Sequence, residues 1–296
     1  MHTVVFALAL GCLVRITARV DTSVCHNRTY DGSIQQLTEP ALDQTQHVPV
    51  FVVNARPSRC SQMQRVIEST GMSSYVVAGS SIHSRFLHHL RDEGLVDEPN
   101  EQSTRFVAVW RSHRAVWEHV QELGLAQALV LEDDVDMERD ILQTINEIVQ
   151  ASNQLPLWDL LYLGHIMDGL VVTEASFRLD ATYTVRTAST LYGAHAYIIS
   201  LKAAQFLLKH MKIRDVMAGD FDAFMAWNYF DDHGGPEGKS TLTALVVQPA
   251  VVVQLPNLPG TSDISPQTAV RKYDTLRNST RRVAMLEGLD DLWDML

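Results

Sequence analysis

Four acids stand within five positions in Glu132-Asp133-Asp134-Val135-Asp136, directly after the apolar run Ala128-Leu129-Val130-Leu131. A continuous apolar run of this kind suits a strand buried on both faces. Ligands of open α/β sheets bind in the crevice at the carboxyl ends of the strands, so the acids fall where chemistry is expected. Side chains two apart on an extended segment face the same way. Glu132 and Asp134 can therefore converge while Asp133 points elsewhere. Two converging carboxylates suit magnesium or manganese, hard cations that leave their other positions to water and diphosphate oxygens. The competing reading is a solvated turn or helix cap. Asp136 and Glu138 read as acids at a helix start. Asp134-Val135-Asp136 also has the spacing of an aspartyl-nucleophile phosphatase, but Glu138 stands where that chemistry usually carries Thr or Val.

The elements that must position these acids follow from periodicity. Residues 50–53 form a short apolar strand, 54–59 a loop with Arg56 and Arg59, and a helix runs through Ile67. Residues 75–78 read as a second strand. Val109, Val116, Trp117 and Val120 recur near helical spacing within 105–123, and Gly124 is a sensible stop. Residues 128–131 form the strand that ends in the acids. A helix over 141–149, strands at 160–163 and 194–200, and a helix over 202–210 follow, then apolar runs at 245–247 and 251–253 and a short terminal helix over 285–296. Alternation of strands and helices predicts an α/β domain with a mostly parallel sheet flanked by helices.

Length and composition set the outer bounds. The chain has 296 residues, 46% of them hydrophobic, enough for one large α/β domain. The formal charge of −11, with no basic stripe, argues against nucleic acid as a partner. Val4 to Val14 is an apolar run ended by Arg15, with Ala18 as a small-residue cleavage point, so residues 1–20 read as a signal peptide rather than a membrane span. An apolar first strand is the alternative. Residues 21–47 are polar and suit a linker or stem. Of three cysteines, Cys12 lies in the leader, leaving Cys25 and Cys60 either paired or as two thiols. Asn27-Arg28-Thr29 and Asn278-Ser279-Thr280 match the N-glycosylation pattern. These features place the chain in the secretory pathway, in the endoplasmic reticulum or Golgi lumen, or outside the cell.

Several ordered segments resemble glycosyltransferase family 25, the group of lipooligosaccharide and procollagen galactosyltransferases. They are Val50-Phe51-Val52-Val53-Asn54 with Arg56 and Arg59, Ser112-His113, Leu129 to Val135, and Trp158-Asp159-Leu160-Leu161-Tyr162-Leu163-Gly164. Gly193 to Ser200, Gln248-Pro249, Gln254 and Ser262-Asp263-Ile264 continue the series. The resemblance covers most of residues 48–264, leaving 265–296 as a C-terminal tail. It departs at Asn54-Ala55-Arg56, where the family often has an aliphatic residue and Asn-Leu before the first basic position. Asp231 to Gly235 has no counterpart in it.

The resemblance implies a GT-A-like, Rossmann-type single domain and a nucleotide-diphosphate sugar donor, with manganese or magnesium as cofactor. The reading is inverting transfer, of galactose from UDP-galactose, to a hydroxyl on a protein or glycan. Glu132 and Asp134 are the metal candidates, and Arg56, Arg59, His113, Glu132 and Asp133 the donor-binding ones. A forked guanidinium suits diphosphate, although exposed arginines are often only solvated. His113 either orients a loop near the donor or is structural. Asp220 and Asp222 are the candidates for the base that takes the acceptor proton, or one of them caps the following helix. Asp159 steadies a strand edge near the metal loop, and Ser262 and Asp263 close over the donor. A non-catalytic sugar-binding protein on a degenerate transferase fold is the alternative.

Overall fold

A computed structural model describes residues 34–36, 48–54, 57–79, 84–94, 96–98, 100–152, 158–178, 182–217, 220–230 and 242–254. The leader, Arg56, Cys25, Asp231 to Gly235, both glycosylation patterns, Ser262, Asp263 and the terminal helix lie outside them. Among the described residues no helix is long and apolar enough to cross a membrane.

The elements alternate as the sequence predicts. Strands β1 (Ile34–Gln36), β2 (Val50–Asn54), β3 (Ser74–Ala78), β4 (Gln127–Glu132), β6 (Leu160–Arg178), β7 (Thr184–Ser200) and β8 (Ala244–Gln248) form one sheet in the order β1-β3-β2-β4-β7-β6-β8. Strands β3, β2, β4, β6 and β8 run one way, and β1 and β7 run against them. The sheet is thus mostly parallel by strand direction, consistent with a GT-A-like α/β fold. Strands β5 (Val135–Met137) and β9 (Val252–Gln254) pair separately, antiparallel, with Val135 opposite Gln254.

Helices α1 (Pro57–Thr70), α2 (Ser84–Asp92), α3 (Glu101–Glu122), α4 (Ile141–Ser152), α5 (Leu201–His210), α6 (Ile213–Met217) and α7 (Phe221–Tyr229) complete the described elements. The pleat sends alternate residues of β4 into two cores. Val130 joins Trp117 of α3, Ala204 of α5 and Met225 of α7 on one face. Leu129 and Leu131 join Met63 of α1 and Ile145 of α4 on the other. Each such buried aliphatic side chain contributes roughly 1.5–3 kcal/mol relative to exposure.

The long helix α3 starts earlier than its apolar spacing suggests because Asn100 and Ser103 make a reciprocal capping box. It ends where Gly124 takes a φ of 62°, the left-handed stop that glycine allows.

Candidate active site

The two-residue period of β4 decides where each acid goes. Glu132 lies on the same face as Val130, toward α3, whereas Asp133 turns to the face covered by α1. There Nη1 of Arg59 donates to Asp133 Oδ1 at 3.0 Å and to Asp134 Oδ2 at 3.5 Å. Arg59 is therefore not a loop residue. Pro57 opens α1, as a proline at the first helical position does, and puts Arg59 in the first turn, 7% exposed.

Glu132 and Asp134 meet at Gln254, part of the family-like closing segment but without an expected role. Nε2 of Gln254, at the end of β9, donates to Asp134 Oδ2 at 3.2 Å and reaches Glu132 Oε2 at 3.5 Å. The β5–β9 ladder delivers it there, and that pairing joins segments 120 residues apart. The other oxygen of Asp134, Oδ1, is buried with no hydrogen-bond partner among the described residues.

Three carboxylates thus crowd one arginine. Burial, then the neighbouring Asp133 and Asp222 charges, raises the Glu132 carboxyl to about 8. Burial and the charges of Glu132 and Asp133 push Asp134 well above the usual carboxylate range. A site that holds carboxylates against their own repulsion favours added positive charge. The orphaned Asp134 oxygen and the hard oxygen donors fit magnesium or manganese, with Glu132 and Asp134 as its protein ligands. Among the described residues no larger cage of His, Cys, Asp or Glu surrounds them. The donor set is that of a two-carboxylate site completed by other oxygens.

Glu132 and Gln254 line an open cleft together with Phe106, Gly193, His195, Asp220 and Asp222. The two aspartates of α7 differ sharply. Asp222 accepts the backbone N–H of Gly193 on one oxygen and that of Ala223 on the other. Asp220 is the N-cap residue of α7, yet its side chain makes no capping bond. Burial, then the charges of Asp222 and Glu132, raises its carboxyl to about 7. A carboxyl near neutrality facing a cleft has the properties of a general base.

His113 sits in the middle of α3, fully buried, and so cannot itself line the cleft. Its Nε2 lies 3.3 Å from Glu132 Oε1, and its Nδ1 lies 3.0 Å from the Tyr197 hydroxyl. That hydroxyl also accepts from Trp117 Nε1 at 3.0 Å. Burial lowers the His113 pKa to about 3, so the ring is neutral.

Two other expectations change. Asp159 lies at the start of β6, at the opposite end of the sheet from the acids. Its Oδ2 accepts from Lys202 Nζ and Thr243 N, each at 3.0 Å, tying three segments together there. Asp136 belongs to β5 rather than to a helix start, and its Oδ1 accepts the N–H of Met137. Cys60 is disulfide-bonded, and its partner lies outside the described residues.

Residues 107–223 match the model of glycosyltransferase family 25, described as an LPS biosynthesis protein family. The chain is 30% identical over 205 residues to the Homo sapiens "Inactive glycosyltransferase 25 family member 3", covering 64% of this chain and 33% of that protein. It is 29% identical over 182 residues to the Rattus norvegicus "Probable inactive glycosyltransferase 25 family member 3", covering 58% and 31%. It is 31% identical over 111 residues to the Danio rerio "Procollagen galactosyltransferase 1", covering 37% and 18%. The chain thus spans a third or less of the length of these relatives. Among solved structures, HddC from Yersinia pseudotuberculosis aligns with a TM-score of 0.29 and 12% identity over 67% of this chain and 89% of that one.

Proposed function

Since this chain is a relative of glycosyltransferase family 25, we propose that it transfers a sugar from a nucleoside-diphosphate donor to a hydroxyl of a protein or glycan, with inversion. The observation that carries this reading is the meeting in one cleft of the Glu132 metal carboxylate and the uncommitted Asp220 carboxylate. In the reaction the acceptor oxygen bonds to the anomeric carbon as the bond from that carbon to the diphosphate oxygen breaks. The diphosphate leaves with the electron pair, and Asp220 takes the hydroxyl proton. Glu132 and Asp134 would hold a divalent cation, which would supply positive charge for the leaving diphosphate. Arg59 holds Asp133 and Asp134 in place, and Asp222 fixes the start of α7 against Gly193, which sets the position of Asp220. Galactose, carried by uridine diphosphate, is the proposed sugar. The apolar leader supports action in the lumen of the secretory pathway or outside the cell.

Two relatives are named as inactive family members, which favours a second reading, without turnover; the form we weigh is a cleft that binds a sugar nucleotide. One experiment separates them. A panel of nucleotide sugars is offered with hydroxyl acceptors, with manganese or with chelator, and nucleoside diphosphate release is measured. Manganese-dependent release that Asp220→Asn abolishes supports transfer. Calorimetric donor binding with no release over any acceptor supports the binding protein and overturns transfer.

A further inference from the structure

With Glu132 ionised, one set of proton positions gives every polar hydrogen of the buried chain from Trp117 through Tyr197 and His113 to Glu132 an acceptor. An indole N–H donates and never accepts. Trp117 Nε1 lies 3.0 Å from the Tyr197 hydroxyl, so that oxygen accepts from it. The phenol keeps its own proton, because burial moves the Tyr197 pKa far upward. That proton has His113 Nδ1 as its partner at 3.0 Å. A neutral imidazole that accepts at Nδ1 carries its hydrogen on Nε2. The Nε2–H then faces Glu132 Oε1 at 3.3 Å, a donor aimed at an acceptor.

We propose that Trp117 and Tyr197 fix the tautomer of His113, so that its Nε2–H holds Glu132 Oε1 and leaves Oε2 turned toward Gln254 and the cleft. His113, Tyr197 and Trp117 are then positioning residues for the cation carboxylate, acting from beneath the cleft. The chain spans α3, β7 and the end of β4, and it holds the carboxylate oxygen that Gln254 does not reach. Phe221 packs against the imidazole at 4.7 Å between centroids, and Tyr162 lies 5.8 Å from the Tyr197 ring. Partners of this kind, one bond removed from a metal, change metal affinity by roughly 10- to 100-fold when lost. The inference rests on the two-carboxylate cation site proposed above, and its test has a part that does not.

The intact chain is labelled with ¹⁵N at histidine, and the imidazole signals of His113 are assigned by comparison with His113→Gln. At a pH where Glu132 is ionised, the expected result is a ring protonated on Nε2 alone. In Trp117→Phe the Tyr197 oxygen loses the competing indole donor, and the share of the Nδ1–H form should rise. Manganese affinity is measured by calorimetry alongside. Tyr197→Phe and His113→Leu should weaken it ten-fold or more. His113→Gln, whose amide can still donate to Glu132, should stay within about threefold of the parent. A wild-type ring protonated on Nδ1 overturns the proposal, and so does equal manganese affinity in His113→Gln and His113→Leu. An Nε2–H ring in a chain that binds no manganese at all leaves the hydrogen-bond chain standing and sinks the cation site instead. Circular dichroism of each variant reports whether it folds. If Tyr197→Phe does not fold, the His113 pair and Trp117→Phe decide the matter.

Discussion

The carboxylate of Asp222 accepts the backbone N–H of Gly193, joining the first turn of α7 to a β7 residue 29 positions earlier. Its second oxygen accepts the N–H of Ala223 at 2.8 Å. With both oxygens bonded, Asp222 acts as a brace, and Asp220, two residues before it, faces the cleft with no capping bond. Asp222→Ala strands two amide donors, at a cost of roughly 1–3 kcal/mol for each one left unsatisfied. Asp220→Asn should leave the urea midpoint within experimental error while removing turnover. Equal destabilisation by both variants would remove the distinction between brace and base.

Gly193 has a φ of 93°, in the region that side chains other than glycine rarely adopt. A Cβ there would lie 3.0 Å from Ile166 Cγ1 and 3.1 Å from His195 Nδ1. Gly193→Ala is expected to cost about 1–3 kcal/mol in urea unfolding, and to lower turnover because the brace to Asp222 shifts with the backbone. Unchanged stability would show that the turn is not constrained as described.

The pH dependence of turnover follows from Asp220. Its carboxyl is raised from the ordinary aspartate value to about 7 by burial and by the charges of Asp222 and Glu132. A base works when unprotonated, so kcat/KM should climb with pH, reach half its maximum near 7 and level off roughly one unit above that. A limb that stays near the ordinary aspartate range would exclude Asp220 as the base.

How much of this was legible in the chain depends on how local each signal is. The strand ending in Glu132 could be read because an apolar run followed by acids is contiguous. The turning of Asp133 away from Glu132 followed from the two-residue pleat, but the strand ends at Glu132, and Asp134 shares Arg59 with Asp133 as well as Gln254 with Glu132. The full lengths of β6 and β7 could not be read. Their pairing slips register repeatedly between Tyr162 and Ser176, and each slip breaks the alternation that marks a strand. Arg59 was placed in a loop although Pro57 signalled a helix start two residues earlier. Gln254 and the partners of Tyr197 were out of reach for another reason. Their contacts join positions 80 or more apart, and no local pattern encodes such a meeting.

Arg59 compensates two carboxylates at once, with 9% of its side chain exposed. Removing one partner of a buried ion pair leaves a charge without compensation and costs about 3–5 kcal/mol. Arg59→Met should therefore be strongly destabilising in chelator, whereas the double variant Arg59→Met, Asp133→Asn should recover part of the loss. Manganese should also recover part of it, by supplying positive charge at Asp134. A double variant no more stable than Arg59→Met would show that packing of the arginine stem, rather than charge, sets the cost.

The thermal midpoint of the cation-free chain should fall as pH rises from 6.5 to 8. Glu132 titrates near 8 in the folded chain, far above its ordinary value of 4.5, so over this interval the folded state holds a proton that the unfolded state has released. Stability from such a group is complete below the unfolded value and is lost as pH rises through the folded one. Asp134 is shifted in the same direction and adds to the effect. His113 works oppositely. Its pKa falls from 6.5 to about 3, so its contribution is lost as pH falls through 6.5 and levels off about one unit above it. Above that level the fall in midpoint belongs to the carboxylates. Manganese, which binds the ionised form, should raise the midpoint more at pH 8 than at pH 6.5. Glu132→Gln should flatten the fall and weaken the manganese response together. A midpoint that rises across this interval, or a Glu132→Gln variant with the parent's slope, would mean that Glu132 is already ionised in the folded chain and that its surroundings hold more positive charge than Arg59 supplies.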